Sequence, residues 1–155
     1  MADGTIHNHI CKFKDEITFS FLNEEDFEKI SCFFESVTYP AQTVIFKEGD
    51  PADFIGFVLS GKLEVKKQTE FKGNQLIIAI LTRGALVGEL SIFDEHERSA
   101  TVEAVEETSI LKLRNEAFDA LLREYPEIGI RILKGFIRIL SLRLRKITER
   151  LTTIF

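Results

Sequence analysis

The chain has 155 residues, a formal net charge of −5, fourteen phenylalanines, no tryptophan and two cysteines. One domain's worth of chain can bury a core without disulfides, and Cys11 and Cys32 lack metal-ligand spacing, so both read as free thiols of a cytoplasmic protein. Met1–His9 carries no apolar run and no segment is apolar over the length of a bilayer, which excludes a helical membrane span.

In chain order, Asn23 is a good N-cap, and Glu24, Glu25 and Asp26 complement the helix dipole behind it. Phe27, Ile30, Phe33, Phe34 and Val37 recur at helical spacing, which predicts a helical part over residues 21–39 stopped by Pro40. From Ala41 to Leu113 short apolar runs alternate with turn signals at Gly49-Asp50-Pro51, Ser60-Gly61, Lys72-Gly73-Asn74 and Arg83-Gly84. That rhythm predicts a small antiparallel roll or sandwich over 40–114. Within it Leu76–Leu81 reads as a buried strand, while Ala100, Val102 and Ala104 read as the inward positions of a half-buried one. Asn115 is expected to cap a helix through Arg123 and Pro126 to open the last one, giving a helical part over 115–155. No linker or repeat divides residues 1–155, so a single domain is expected.

The last helix carries Leu133, Ile137, Leu140, Leu144, Ile147, Leu151 and Ile154 at spacings of four and three, a heptad seam. Run from Glu127 to Phe155, it would extend about 43 Å, too long for a roll of this size to cover. A parallel homodimer through this helix is the simplest cover. The same helix holds Arg131, Lys134, Arg138, Arg143, Arg145, Lys146 and Arg150 against Glu127 and Glu149, a net +5 that leaves the preceding residues at −10.

Gly88–Val102 carries the chemistry. Arg98 sits at a core edge, where a desolvated guanidinium needs an anion. Two partners fit: a structural ion pair with Glu89, or a ligand phosphate. Gly88 lets backbone approach closely, the turn from Leu90 through Ser91 to Ile92 offers main-chain N–H groups, and Ser99 adds a hydroxyl donor. Glu89 beside such an anion makes sense if it accepts from a ribose 2′-hydroxyl, and phosphate plus sugar describes a nucleotide.

This stretch resembles the phosphate-binding cassette of cyclic nucleotide-binding domains, the family of the bacterial catabolite activator protein, kinase regulatory subunits and cyclic-nucleotide-gated channels. Tyr39–Asp50 resembles the family's early strand and Gly-Asp turn, and Phe57–Val65 its next strand-turn-strand; the resemblance runs from about Phe21 to the C-terminus. It implies an α+β, mainly β, fold: an antiparallel β-roll, a jelly-roll-like double-stranded β-helix, flanked by an N-terminal helix and C-terminal helices, with the cassette at 88–101. It implies that Arg98, Ser99, Ala100, Leu90 and Ser91 bind the cyclic phosphate, that Gly88 and Glu89 bind the ribose, and that Val65, Ile78, Leu81, Arg143 and Leu144 enclose the base. Two positions depart from the pattern: Val87 stands where an aromatic residue is common and Ala85 where an acid is frequent.

Ser99 and Ala100 resemble the bacterial cAMP-type cassette, so the expected ligand is cAMP, with cGMP tolerated; no cofactor and no metal are expected. His7, His9 and His96 lack metal-ligand spacing, and Gly84–Gly88 matches neither a P-loop nor a dinucleotide fingerprint, so the chain is not expected to be an enzyme. His96 reads as an exposed turn residue. The catabolite-activator branch reads DNA with a helix-turn-helix after the long helix, and this sequence stops at Phe155, so DNA binding is not expected; the basic face would lie against the acidic roll or meet an acidic partner. The function expected is a cyclic nucleotide sensor whose C-terminal helix is repositioned by ligand, signalling across a homodimer or to an unidentified downstream protein. The alternatives are a ligand-free dimeric scaffold with a vestigial pocket, or a regulatory domain excised from a larger transcription factor, channel or kinase.

Overall fold

A computed structural model describes residues 19–71 and 73–153, together with Ile6 and Asn8. The expectations placed on His7, His9, Cys11 and Ile154 fall outside these residues. Phe33–Phe118 form one compact unit, built mostly of strands, and the flanking helical segments form a second.

In the first unit the described strands are β1 (Phe34–Tyr39), β2 (Val44–Phe46), β3 (Phe54–Ser60), β4 (Leu63–Gln68), β5 (Gln75–Leu81), β6 (Leu86–Val87), β7 (Thr101–Ala104) and β8 (Thr108–Arg114). They make two four-stranded sheets, in the orders β1-β8-β3-β6 and β2-β7-β4-β5, and every pairing is antiparallel. Phe54, Val58, Val87 and Ile110 of one sheet meet Phe46, Leu63, Val102 and Ala104 of the other in a shared apolar core. The expected antiparallel roll with flanking helices is therefore the observed architecture.

Two expectations about this unit are corrected. The helix behind Asn23, α1, ends at Ile30 and is followed by a 3-10 turn over Ser31–Phe33, and Phe34–Tyr39 is strand β1 rather than helix. That segment pairs with β8 along its length, from Phe34 opposite Leu113 to Tyr39 opposite Thr108. Its β-branched and aromatic residues suit a pleated surface, and the pairing overrides an apolar spacing that also fits a helix. The second concerns Leu76–Leu81, which is a strand but not a buried one: Leu76, Ile77, Ile78 and Ile80 are all exposed. β5 is the last strand of its sheet. It is also bulged, since Ala79 pairs with Val65 and Ile77 with Lys66, so that Ile78 is skipped and the inward-outward alternation breaks there.

In the helical unit Asn23 caps α1 (Glu24–Ile30) as expected. Its side chain accepts from the Asp26 N–H at 2.9 Å, and the Asp26 carboxylate accepts from the Asn23 N–H at 3.0 Å, a reciprocal capping box. Asp26 is buried and also takes the Arg131 Nη2 at 2.7 Å, which ties α1 to the last helix. One member of the basic face is thus spent inside the fold. A one-turn helix, α2 (Leu90–Phe93), belongs to the strand unit, and α3 (Asn115–Glu124) follows β8. Asn115 is the first residue of α3 rather than its side-chain cap: its Nδ2 donates to the Ala52 carbonyl at 3.0 Å, and its buried Oδ1 has no hydrogen-bond partner.

Pro126 opens α4 (Pro126–Thr152), 27 residues and so about 40 Å long. Ile128, Gly129, Ile132, Gly135 and Phe136 form its buried face. The heptad seam is a different face, with Ile137 62%, Leu144 65%, Ile147 55% and Leu151 54% exposed. No helix among the described residues is long and apolar enough to cross a membrane. Cys32 is a free, exposed thiol.

Candidate functional site

The pairing of β3 with β6 sets Gly56 opposite Val87 and Phe57 opposite Leu86. The start of β3 therefore runs beside the residues that follow β6, and the carbonyls of Phe54 and Gly88 come within reach of one side chain. That side chain is Arg98. Its backbone is held on both sides by the Gly49-Asp50 turn: its N–H donates to the Asp50 carbonyl and its own carbonyl accepts from the Gly49 N–H, each at 2.8 Å. Its guanidinium donates from Nη1 to Gly88 O at 3.0 Å and from Nη2 to Phe54 O at 2.9 Å. The guanidinium carbon also lies 4.1 Å from the centre of the Phe46 ring and 4.8 Å from that of Phe54, two cation–π contacts with rings that meet edge to face.

Arg98 is 2% exposed. An Asp53 carboxylate oxygen stands 3.5 Å from Nη2. Burial pulls the guanidinium below the ordinary arginine range; Asp53, then Asp50 and Glu89, act in the opposite direction. Two backbone carbonyls, which neither of the expected partners supplied, thus hold the terminal nitrogens. The buried Nε has no hydrogen-bond partner. Gly88 has φ +78, and a Cβ there would collide with Nη1 of Arg98, so glycine is required both by backbone conformation and by the closeness of the arginine.

Arg98 lines an open cleft of about 650 Å³ together with Ser91, Ser99, Gly49, Glu48, Lys67 and the loop residues Asp94, Glu95, His96 and Glu97. Of the residues expected at a phosphate, Ser91, Arg98 and Ser99 are brought together here. Ala100 is buried beside them in sequence, whereas the Leu90 side chain is exposed. Of the residues expected at a ribose, Glu89 is buried and Gly88 is half-buried. Val65 and Leu81 pack on the core between the sheets, Ile78 is the exposed bulge residue of β5, and Arg143 and Leu144 lie on α4 in the helical unit, half-buried and exposed respectively. His96 is an exposed turn residue, its ring Nδ1 within 2.6 Å of the Asp94 carbonyl.

Sequence reasoning missed Phe46, Phe54, Asp53, Glu48 and Lys67. The two phenylalanines were indistinguishable from the other core aromatics. The charged three lie between 31 and 50 residues before Arg98 in the chain, and only the strand register brings them to it. A signal was available at Glu48-Gly49-Asp50, where acids flank the glycine of a turn that the cassette's one arginine could approach.

The model of the cyclic nucleotide-binding domain matches residues 36–125. The chain belongs to the cyclic nucleotide-binding domain family. It is 36% identical over 111 residues to the cyclic AMP receptor protein of Thermus thermophilus, covering 72% of this chain and 51% of that protein. It is 34% identical over 125 residues to lysophospholipase nte1 of Aspergillus fumigatus, covering 80% of this chain but 8% of the enzyme. The crystal structure of a cyclic nucleotide-binding domain from Methylobacillus flagellatus superposes with a TM-score of 0.80 at 28% identity, over 86% of this chain and 75% of that one. The chain thus spans about half the length of the first relative and a small part of the second. The family is a cyclic nucleotide-binding regulatory domain.

Proposed function

We propose that this domain binds cAMP and acts as a regulatory sensor. The observation that carries the reading is Arg98: a buried guanidinium with an unspent Nε–H, lining a cleft beside the hydroxyls of Ser91 and Ser99. A cyclic phosphate there accepts from Arg98, from Ser99 and from the Ala100 N–H, with Leu90 and Ser91 closing the loop over it. Gly88 and Glu89 take the ribose, the carboxylate accepting from the 2′-hydroxyl. Val65, Ile78 and Leu81 of the strand unit take the base. The preference for cAMP over cGMP is supported by the Ser99-Ala100 pair and by the name of the Thermus relative.

The sensing step follows from what the phosphate competes with. In this structure Gly88 and Phe54 carbonyls occupy the terminal nitrogens of Arg98, and an anion in the cleft draws on the same donors, loosening the tie between β3 and the cassette. Ligand shifts the conformation only by its differential affinity for the two arrangements. The output is a change in the position of α4, whose exposed seam meets a second copy or a downstream protein in the cytoplasm; no reaction is catalysed and no DNA is read by this domain itself. Isothermal titration with cAMP, cGMP and 2′-deoxy-cAMP tests the assignment. cAMP should bind, cGMP more weakly, and the 2′-deoxy ligand about tenfold more weakly than cAMP, the loss of one hydrogen bond to a charged acceptor. Equal binding of cAMP and its 2′-deoxy form would remove Glu89 from the ribose site.

A further inference from the structure

The cleft is unusual for an anion site in one respect: four carboxylates, Glu48, Asp94, Glu95 and Glu97, line it against Arg98 and Lys67. Arg98 is buried and engaged with carbonyls, so Lys67, with 46% of its side chain exposed, is the accessible cation of the lining. Lys67 lies on β4, and its ammonium meets two negative groups at once. It pairs with Glu48 Oε1 at 2.8 Å and donates to the Ser99 carbonyl at 2.5 Å. Glu48 is fixed in turn, since its Oε2 accepts from the Gln68 N–H at 3.0 Å and its own N–H donates to Thr101 Oγ1 at 3.0 Å. One lysine thereby joins the Gly-Asp turn, β4 and the end of the cassette.

We propose that Lys67 is a positioning residue of the phosphate site, which neutralises Glu48 and holds the Ser99 carbonyl so that neither presents negative charge to the bound phosphate. This rests on the cyclic nucleotide reading above. The peptide between Ser99 and Ala100 is planar, so a Ser99 carbonyl drawn to the ammonium turns the Ala100 N–H the opposite way. The lysine therefore decides which pole of that peptide a ligand meets. Without it, Glu48 keeps its place through Gln68 and Thr101 but loses its counter-charge, and repulsion of an anion follows.

The test is cAMP titration of the full chain, by calorimetry, for the unsubstituted protein, Lys67→Met, Lys67→Arg, Glu48→Gln and the Lys67→Met/Glu48→Gln pair, at about 50 and about 300 mM salt. Lys67→Met should weaken binding about tenfold at low salt. High salt, which screens the uncovered Glu48, and the added Glu48→Gln change should each recover part of that loss. Lys67→Arg, which keeps the charge, should stay within about threefold of the unsubstituted chain. Lys67→Met binding as tightly as the unsubstituted protein, or a deficit that neither salt nor Glu48→Gln relieves, would overturn the proposal while leaving the cyclic nucleotide reading intact. Failure of the unsubstituted chain to bind cAMP or cGMP would overturn that reading, and this proposal with it.

Discussion

Arg98 is held by groups from three separate segments: Phe46, Asp53 with Phe54, and Gly88. Gly88→Ala introduces a Cβ at φ +78 against Nη1 of Arg98, and should lower stability by about 1–3 kcal/mol, read as a lower Tm in a thermal melt. In ligand binding, Arg98→Ala should abolish the response to cyclic nucleotide, whereas Glu89→Ala, which removes the proposed ribose acceptor, should weaken it less. A third prediction concerns pH. Arg114 holds the Glu35 carboxyl below its usual 4.5 through a charged hydrogen bond, and Lys67, followed by the Gln68 N–H, does the same for Glu48. A carboxyl with a depressed folded-state pKa stabilises the fold above its unfolded pKa, and that contribution is lost as pH falls through the folded value. Between about pH 6 and about pH 3, the Tm of the unsubstituted chain should therefore fall more than that of Glu35→Gln, with a small difference because both partners are half exposed. Equal falls would show that the pair adds nothing.

At the scale of elements, the segments legible in the sequence were those whose signals are local. The Asn23 cap and the Pro126 start are read from residue types at helix ends, and both are where they were expected. The turns between strands were legible for the same reason. β1 was not, because Phe33, Phe34 and Val37 fit a helix as well as they fit a strand, and only pairing with β8, some 70 residues away, decides between them. The exposure of β5 was hidden because a run of isoleucines reads as buried whether its strand is central or at an edge. Replacing Asn23 with Ala removes a capping box and should destabilise α1 by about 1 kcal/mol, measurable as a lower Tm. The seam on α4 makes a sharper prediction. If Leu144 and Ile147, both more than half exposed, bind a second copy, then Leu144→Glu with Ile147→Glu should shift the chain to monomer in sedimentation velocity without loss of helix content. A chain that is monomeric before substitution would contradict the dimer.

For the whole molecule, residue types in the cassette were enough to single out Arg98 as a buried cation at a core edge, but not to say what holds it in place. Phe46, Phe54 and Asp53 reach it through the register of β3 with β6 and through the Gly49-Asp50 turn. Those are properties of the assembled roll, not of any stretch of sequence. The assembled roll also changes the meaning of Arg98: each of its terminal nitrogens already donates to a backbone carbonyl, and the proposed phosphate would compete with those carbonyls. A ligand that succeeds must bind the folded state and so stabilise it. The measurement that tests this most directly is the thermal shift of the unsubstituted chain and of Arg98→Ala on titration with cAMP. At about 100-fold above its dissociation constant, ligand should add about 2.7 kcal/mol, a rise in Tm of roughly 5 to 10 °C, and Arg98→Ala should show none. No shift of the unsubstituted chain with cAMP or cGMP, or an equal shift in both proteins, would contradict the account.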